Sequence, residues 1–292
     1  MGWIRNESII QVGHTVDPNW IHKQPVFGQP PHYKYVLSQG LDSEINWVPT
    51  DTEEHYDENM KDDVKRKIIE SNGWTKDNII YKINKQGFRH DGSVRDFFKV
   101  EPGGIAYVGD SNFFGIGINQ EDVFTHIAHP KELPYINLGC VSSGIETFYR
   151  VIKKWVPIVK PRAVFIFHSW ANTRKEEYVD TENRFRPNNI SGNLTGIQAE
   201  NLDITTPFDK GFTPIESHIT WHKNVEAIKW ICHQLKVKVW FSEDRINKGK
   251  YNDFFTVYRD MTDFSSRDLM HAGKPWNNKM ANHFGEIIHD NI

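Results

Sequence analysis

The stretch Ile105-Ala-Tyr-Val-Gly-Asp-Ser-Asn-Phe-Phe-Gly115 decides how this chain is read. Four apolar residues end in Gly109-Asp110-Ser111, and small residues and an amphipathic segment follow. That pattern predicts a strand, a tight turn and a helix, with a serine at the bend. Open α/β sheets place their chemistry at the carboxyl ends of their strands, where such a serine would stand. Whether Ser111 is a nucleophile or a helix cap depends on what else the chain brings to it.

Downstream of Gly103, strand and helix patterns alternate. Tyr135 to Leu138 and Ala163 to Phe167 read as the second and third strands, the latter apolar at every position, as in a parallel strand covered on both faces. Val237 to Phe241 reads as the fourth. Between them, Glu121 to His129 predicts a helix stopped by Pro130. Residues 144 to 156 predict a second helix, with Ile145, Phe148, Tyr149, Ile152 and Trp155 on one face. Glu146, Arg150, Lys153 and Lys154 avoid that face, and Pro157 and Pro161 are expected to help end the helix. Ser217 to Leu235 and Pro275 to His289 carry helical spacing too. Alternation of this kind predicts an α/β protein with a parallel sheet and right-handed crossovers.

Residues 1 to 100 are less regular. Gln24 to Pro31 breaks structure twice, Asp51 to Asp63 reads as a solvated acidic loop or helix start, and Asp62 to Glu70 reads as a short helix. Ile79 to Asn84 reads as a strand before the Gln86-Gly87 turn. The expected organisation is an N-terminal elaboration (1–100) packed on a main domain (101–292). Polar residues 173–216, rich in Asn, Thr and Pro, form an insertion too long for an ordinary connection.

Composition narrows the function. The 292 residues carry a net charge of -3, which leaves no basic footprint for nucleic acid. No apolar run is long enough to span a bilayer, and Met1 to Glu7 lacks the pattern of a secretory signal, so the expectation is a soluble, by default cytoplasmic protein. Cys140 and Cys232, the two cysteines, sit in apolar surroundings and read as buried thiols.

A serine hydroxyl needs a base, and the base needs an orienting acid. Near the C-terminus, Asp268-Leu-Met-His271 places a carboxylate three residues before a histidine, close enough to lie beside its ring. An oxyanion needs donors. Asn172, just past the third strand, and backbone N–H groups of Ser111 and of the Gly139 to Gly144 loop could supply them. His218 and His222, four apart, and His126 and His129, three apart, have spacings compatible with metal, but no third ligand is evident. His168 could line the site or be structural. Trp170, Trp221 and Trp276 could stack on a sugar face or fill the core.

Taken together, these blocks resemble the SGNH (GDSL-type) hydrolase superfamily. Gly109-Asp110-Ser111 with Phe114 to Gly117, Asn137 to Gly144, Phe167 to Asn172 and Asp268 to His271 correspond to its four blocks. Tyr81-Lys-Ile-Asn84 with Gly87-Phe-Arg89 resembles the N-x-x-GFR segment that often precedes the nucleophile in microbial members. Ser142 stands about where the family has its oxyanion glycine, with Gly144 as the other candidate. Trp170 and Thr173 replace the family's glycine and aspartate around Asn172. The resemblance implies a three-layer α/β/α, flavodoxin-like fold and a serine esterase that needs no cofactor or metal. Ser111 would be the nucleophile, His271 the base and Asp268 the orienting acid. Ser111, Ser142 or Gly144, and Asn172 would hold the oxyanion. Substrates would be acyl esters, such as O-acetyl groups on a glycan. The alternatives are a non-catalytic carbohydrate-binding or structural module on the same fold, and a metal hydrolase.

Overall fold

A computed structural model describes residues 25–90, 95–168, 174–179, 184–189, 214–244, 254–257 and 265–291. In chain order the helices are α1 (Tyr33–Gln39), α2 (Glu53–Asn59), α3 (Asp63–Ser71), α4 (Ser111–Phe114), α5 (Phe124–Ala128), α6 (Ile145–Val159), α7 (Pro214–Gln234) and α8 (Lys274–Asn291). The strands are β1 (Ser43–Ile45), β2 (Tyr81–Ile83), β3 (Ile105–Val108), β4 (Tyr135–Asn137), β5 (Ala163–His168), β6 (Arg174–Val179), β7 (Arg184–Asn189), β8 (Lys238–Asp244) and β9 (Phe254–Val257).

The central sheet runs β4-β3-β5-β8-β9, with every pair parallel. This is the flavodoxin-like order, which turns back between β3 and β5 and leaves a crevice at their carboxyl ends. The two-residue period of a strand sends successive side chains to opposite faces. Ile105, Tyr107, Phe165 and Phe167 pack on one side with α5, α8 and residues 36–83. Ala106, Val108, Val164 and Ile166 pack on the other with α6 and α7. Three layers follow, with both sheet faces covered. Cys140 and Cys232 are free and buried in the second cluster. Among the described residues no helix is long and apolar enough to cross a membrane.

Several expectations need correction. Helix α6 runs through Pro157 to Val159 and ends at Lys160 in the left-handed conformation (φ 51°). A proline forfeits one helical hydrogen bond, which is tolerated here in the last turn. Arg150, read as solvent-facing, is 2% exposed. Its guanidinium pairs with Glu176 of β6 at 2.6 Å and donates to the carbonyls of Phe27 and Gln29. Those partners lie 26 or more residues away, so local periodicity could not reveal them. Residues 121–129 form a 3₁₀ turn at Gln120–Asp122 and the short helix α5 in place of one helix. Asp51 is buried, not solvated. Strand β9 is additional to the four strands expected in the central sheet, and β1, β6 and β7 lie outside that sheet and were not expected.

Candidate active site

The nucleophile turn is built by local chemistry. Asp110 is the N-cap of α4, and its Oδ1 accepts from the Asn112 N–H at 2.9 Å. Ser111 is therefore not the cap; it is the first helical residue, whose N–H has no intrahelical acceptor. Gly115, at φ 79°, closes α4 by donating to the Ser111 carbonyl. Phe113 and Phe114 are fully buried and anchor this four-residue helix in the core.

The other half is the turn at residues 265–271. Leu269 takes a left-handed conformation (φ 54°), which folds Asp268 back onto His271. Ser111 Oγ lies 2.9 Å from His271 Nε2, and His271 Nδ1 lies 2.6 Å from Asp268 Oδ2. The Asp268 side chain is inaccessible and that of His271 is 14% exposed. Burial alone would raise the Asp268 carboxyl. The adjacent His271 and donors from His271, Ser266 and Met270 outweigh it and hold the group well below the usual carboxylate range. An ionised carboxylate only accepts, so the proton sits on His271 Nδ1, and Nε2 presents its lone pair to the Ser111 hydroxyl.

The wall opposite comes from the loop after β4. Asn137 Nδ2 donates to the Phe113 carbonyl at 2.6 Å, and its Oδ1 accepts from Gly139 N–H at 2.8 Å. Cys140 N–H and Ser143 Oγ reach the Gly109 carbonyl at 2.9 and 3.2 Å. The loop is thus laced to the residues just before the nucleophile. Gly139 is required by proximity: a Cβ there would meet the backbone of Phe113 and Phe114. Ser142 adopts φ 58°, the region glycine enters most readily. Gly144 is the N-cap residue of α6. Asn172 and Trp170 lie outside the described residues, as does the side chain of His168.

Sequence reading missed the supports of this site. His32, 6% exposed, accepts from Val141 N–H on Nδ1 at 3.1 Å and donates from Nε2 to the Gly87 carbonyl at 2.9 Å. Burial drives its pKa down to about 4, against the Gly87 contact, so it is neutral at ordinary pH. The Asn84 to Arg89 segment also becomes legible. Asn84 Oδ1 accepts from the N–H groups of Gln86 and Phe88, Gly87 turns at φ 86°, and Phe88 enters the core. Arg89 then reaches the carbonyls of Phe114, Gly115 and Ile118, capping the exit of α4. Arg267, next to Asp268, grips Asp51 through two nitrogens and lies 4.0 Å over the Trp47 ring. An arginine beside the Asp268 block was the one available signal.

The remaining candidates lie elsewhere. Trp221 and Trp276 are core residues, 2% and 0% exposed. The His126 ring meets Tyr135 edge-on and the His129 ring meets it tilted. His222 is on α7, and the side chain of His218 is outside the described residues. Among the described residues no group of three or more His, Cys, Asp or Glu is placed to hold a metal ion.

No family model matches the sequence, and no curated protein matches it. Among solved structures, the chain is similar to a protein assigned to the lipolytic G-D-S-L family from Desulfitobacterium hafniense DCB-2. Identity is 12% and the TM-score 0.39, over 63% of this chain and 98% of that one. It is also similar to a carbohydrate esterase, with 12% identity and a TM-score of 0.40 over 66% of this chain and 70% of that one. These are likenesses of fold.

Proposed function

We propose that the protein is a serine ester hydrolase. One observation carries the reading: the continuous contact from Ser111 Oγ through His271 to Asp268, at 2.9 and 2.6 Å. In this reading Ser111 Oγ attacks the ester carbonyl carbon while His271 Nε2 takes its proton. Asp268 holds the imidazole in the required tautomer and stabilises the imidazolium. As the tetrahedral intermediate collapses, the alcohol leaves with the proton from His271, and an acyl group remains on Ser111. Water then attacks the acyl-enzyme, again deprotonated by His271, and releases the carboxylic acid. The Ser111 N–H, an N–H between Ser142 and Gly144, and the Asn172 amide are the proposed oxyanion donors. Loss of one such donor lowers kcat by on the order of a hundredfold or more.

The proposed substrates are acyl esters, such as O-acetyl groups on carbohydrate. The polar composition of residues 173–216, which follow the third strand in sequence, supports a hydrated substrate over a long acyl chain. A fluorophosphonate probe and nitrophenyl acetate test the reading. Wild type should label and hydrolyse, and Ser111→Ala should do neither. If neither protein reacts, the chain is a non-catalytic module on this fold; equal hydrolysis by both, lost to chelator, would point to a metal hydrolase.

A further inference from the structure

The elements that carry the serine and the histidine lie after residue 100, yet the buried acid is also gripped by a residue from the N-terminal region. Thr50 Oγ1 donates to Asp268 Oδ2 at 3.0 Å, across 218 residues of chain. This is the same oxygen that receives His271 Nδ1–H. The other oxygen, Oδ1, faces Ser266 Oγ at 2.7 Å and the N–H groups of Met270 and His271 at 3.1 and 3.2 Å. All of those donors belong to the turn that carries Asp268. Among the described residues, Thr50 is the donor from outside it, and so the one that ties the carboxylate to a separate part of the molecule.

The contact is built, not incidental. Thr50 sits at φ 76°, an unfavourable conformation for a β-branched residue. Such strain persists only where the surroundings over-determine it, and it clusters at functional sites. Of the six described non-glycine residues with positive φ, three are Thr50, Ser142 and Leu269, on the loops around Ser111 and His271; the others are Asp42, Lys160 and Lys236. Contacts on both sides hold the Thr50 turn. His55 Nδ1 donates to the Thr50 carbonyl at 2.8 Å, the Val48 N–H donates to the Asp51 carbonyl at 3.1 Å, and the Asp51 side chain is locked to Arg267. The dipeptides Thr50-Asp51 and Arg267-Asp268 therefore exchange side-chain contacts in both directions. Asn59 Nδ2 adds a 3.4 Å contact to the Asp268 carbonyl.

We propose that Thr50 is a positioning residue for the proposed esterase: its hydroxyl fixes the plane of the Asp268 carboxylate so that Oδ2 meets His271 Nδ1–H as the imidazolium forms. The inference rests on the esterase reading. A donor to a charged carboxylate, lost from a site where charge develops on the neighbouring ring, lowers kcat on the order of tenfold. Thr50→Val keeps the shape and removes the hydroxyl. It should lower kcat by that factor, leave KM within about twofold of wild type, and shift the downfield Nδ1–H proton resonance of His271. Thr50→Ser should restore both kcat and the resonance. Thr50→Gly relieves the backbone strain and also lacks the hydroxyl; it should fold and be as slow as Thr50→Val. Full kcat in Thr50→Val or Thr50→Gly overturns the proposal, as does a Thr50→Ser variant as slow as Thr50→Val, or a defect confined to KM. A wild-type protein with no Ser111-dependent hydrolysis overturns the esterase reading first, and this inference with it.

Discussion

Asp51→Asn is the sharpest test of how the two halves of the site are held together. In the native chain the Asp51 and Arg267 side chains are 1% and 0% exposed and their closest atoms are 2.7 Å apart. Burial pushes the Asp51 carboxyl above its ordinary range, while the Arg267 guanidinium pulls it back. The two-nitrogen geometry is that of an ionised carboxylate, and that is the form we assign at neutral pH. The amide of asparagine keeps one acceptor oxygen but no charge. Arg267 would keep its bonds to the carbonyls of Asn46, Thr75 and Lys76 at 2.6, 3.2 and 2.9 Å, and its place over Trp47. Its charge would be left buried and uncompensated. Tyr81 would lose the carboxylate that its hydroxyl donates to. Breaking a buried pair from one side costs about 3–5 kcal/mol. The surviving carbonyl contacts place this case at about 3 kcal/mol, a fall in Tm of about 5 °C for a chain of this size. Urea and thermal unfolding at pH 7 measure it. Lys76→Ala, which breaks exposed contacts to Glu53 and Asp57, is the control and should be indistinguishable from wild type. A loss below about 1 kcal/mol in Asp51→Asn would mean that the carboxyl is neutral or the pair idle, and would refute the reasoning.

Two further outcomes follow from the wall beside Ser111. Gly139→Ala places a methyl group about 2.7 Å from the Phe113 carbonyl carbon; it should cost about 1–3 kcal/mol and slow fluorophosphonate labelling by displacing α4. Unchanged labelling kinetics would show that the close approach does not position the serine. His32 binds fewer protons folded than unfolded between pH 6.5 and about 4, so its contribution to stability is complete above 6.5 and is lost as pH falls to about 4. The amount is about 3 kcal/mol, and the difference in unfolding free energy between wild type and His32→Gln should shrink by about that much across this window. A difference independent of pH would refute the assignment.

Much of this arrangement is readable locally. The apolar run before Gly109-Asp110-Ser111 reads as a covered strand, and its three-residue exit as a turn. The alternation of strands and helices after Gly103 leads to a parallel sheet, because parallel strands need crossovers. The Asp268 to His271 spacing puts a carboxylate beside a ring within one turn. These features depend on residues a few positions apart, and a linear pattern records them.

The pairings across the chain are another matter. Asp51 looked solvated because its neighbours are acidic, and Arg150 because it lies off the apolar stripe of its helix. Each is buried, because a partner of opposite charge and a set of carbonyls arrive from distant segments and replace water. Thr50 and His32 carry no pattern of their own, and Arg89 was legible only as the end of the N-x-x-GFR segment; their roles exist only where distant segments converge. A motif names groups able to react, since reactivity belongs to side-chain type. Which groups hold them to within a few tenths of an ångström is decided by packing between segments as much as 218 residues apart, and only the folded chain contains those distances.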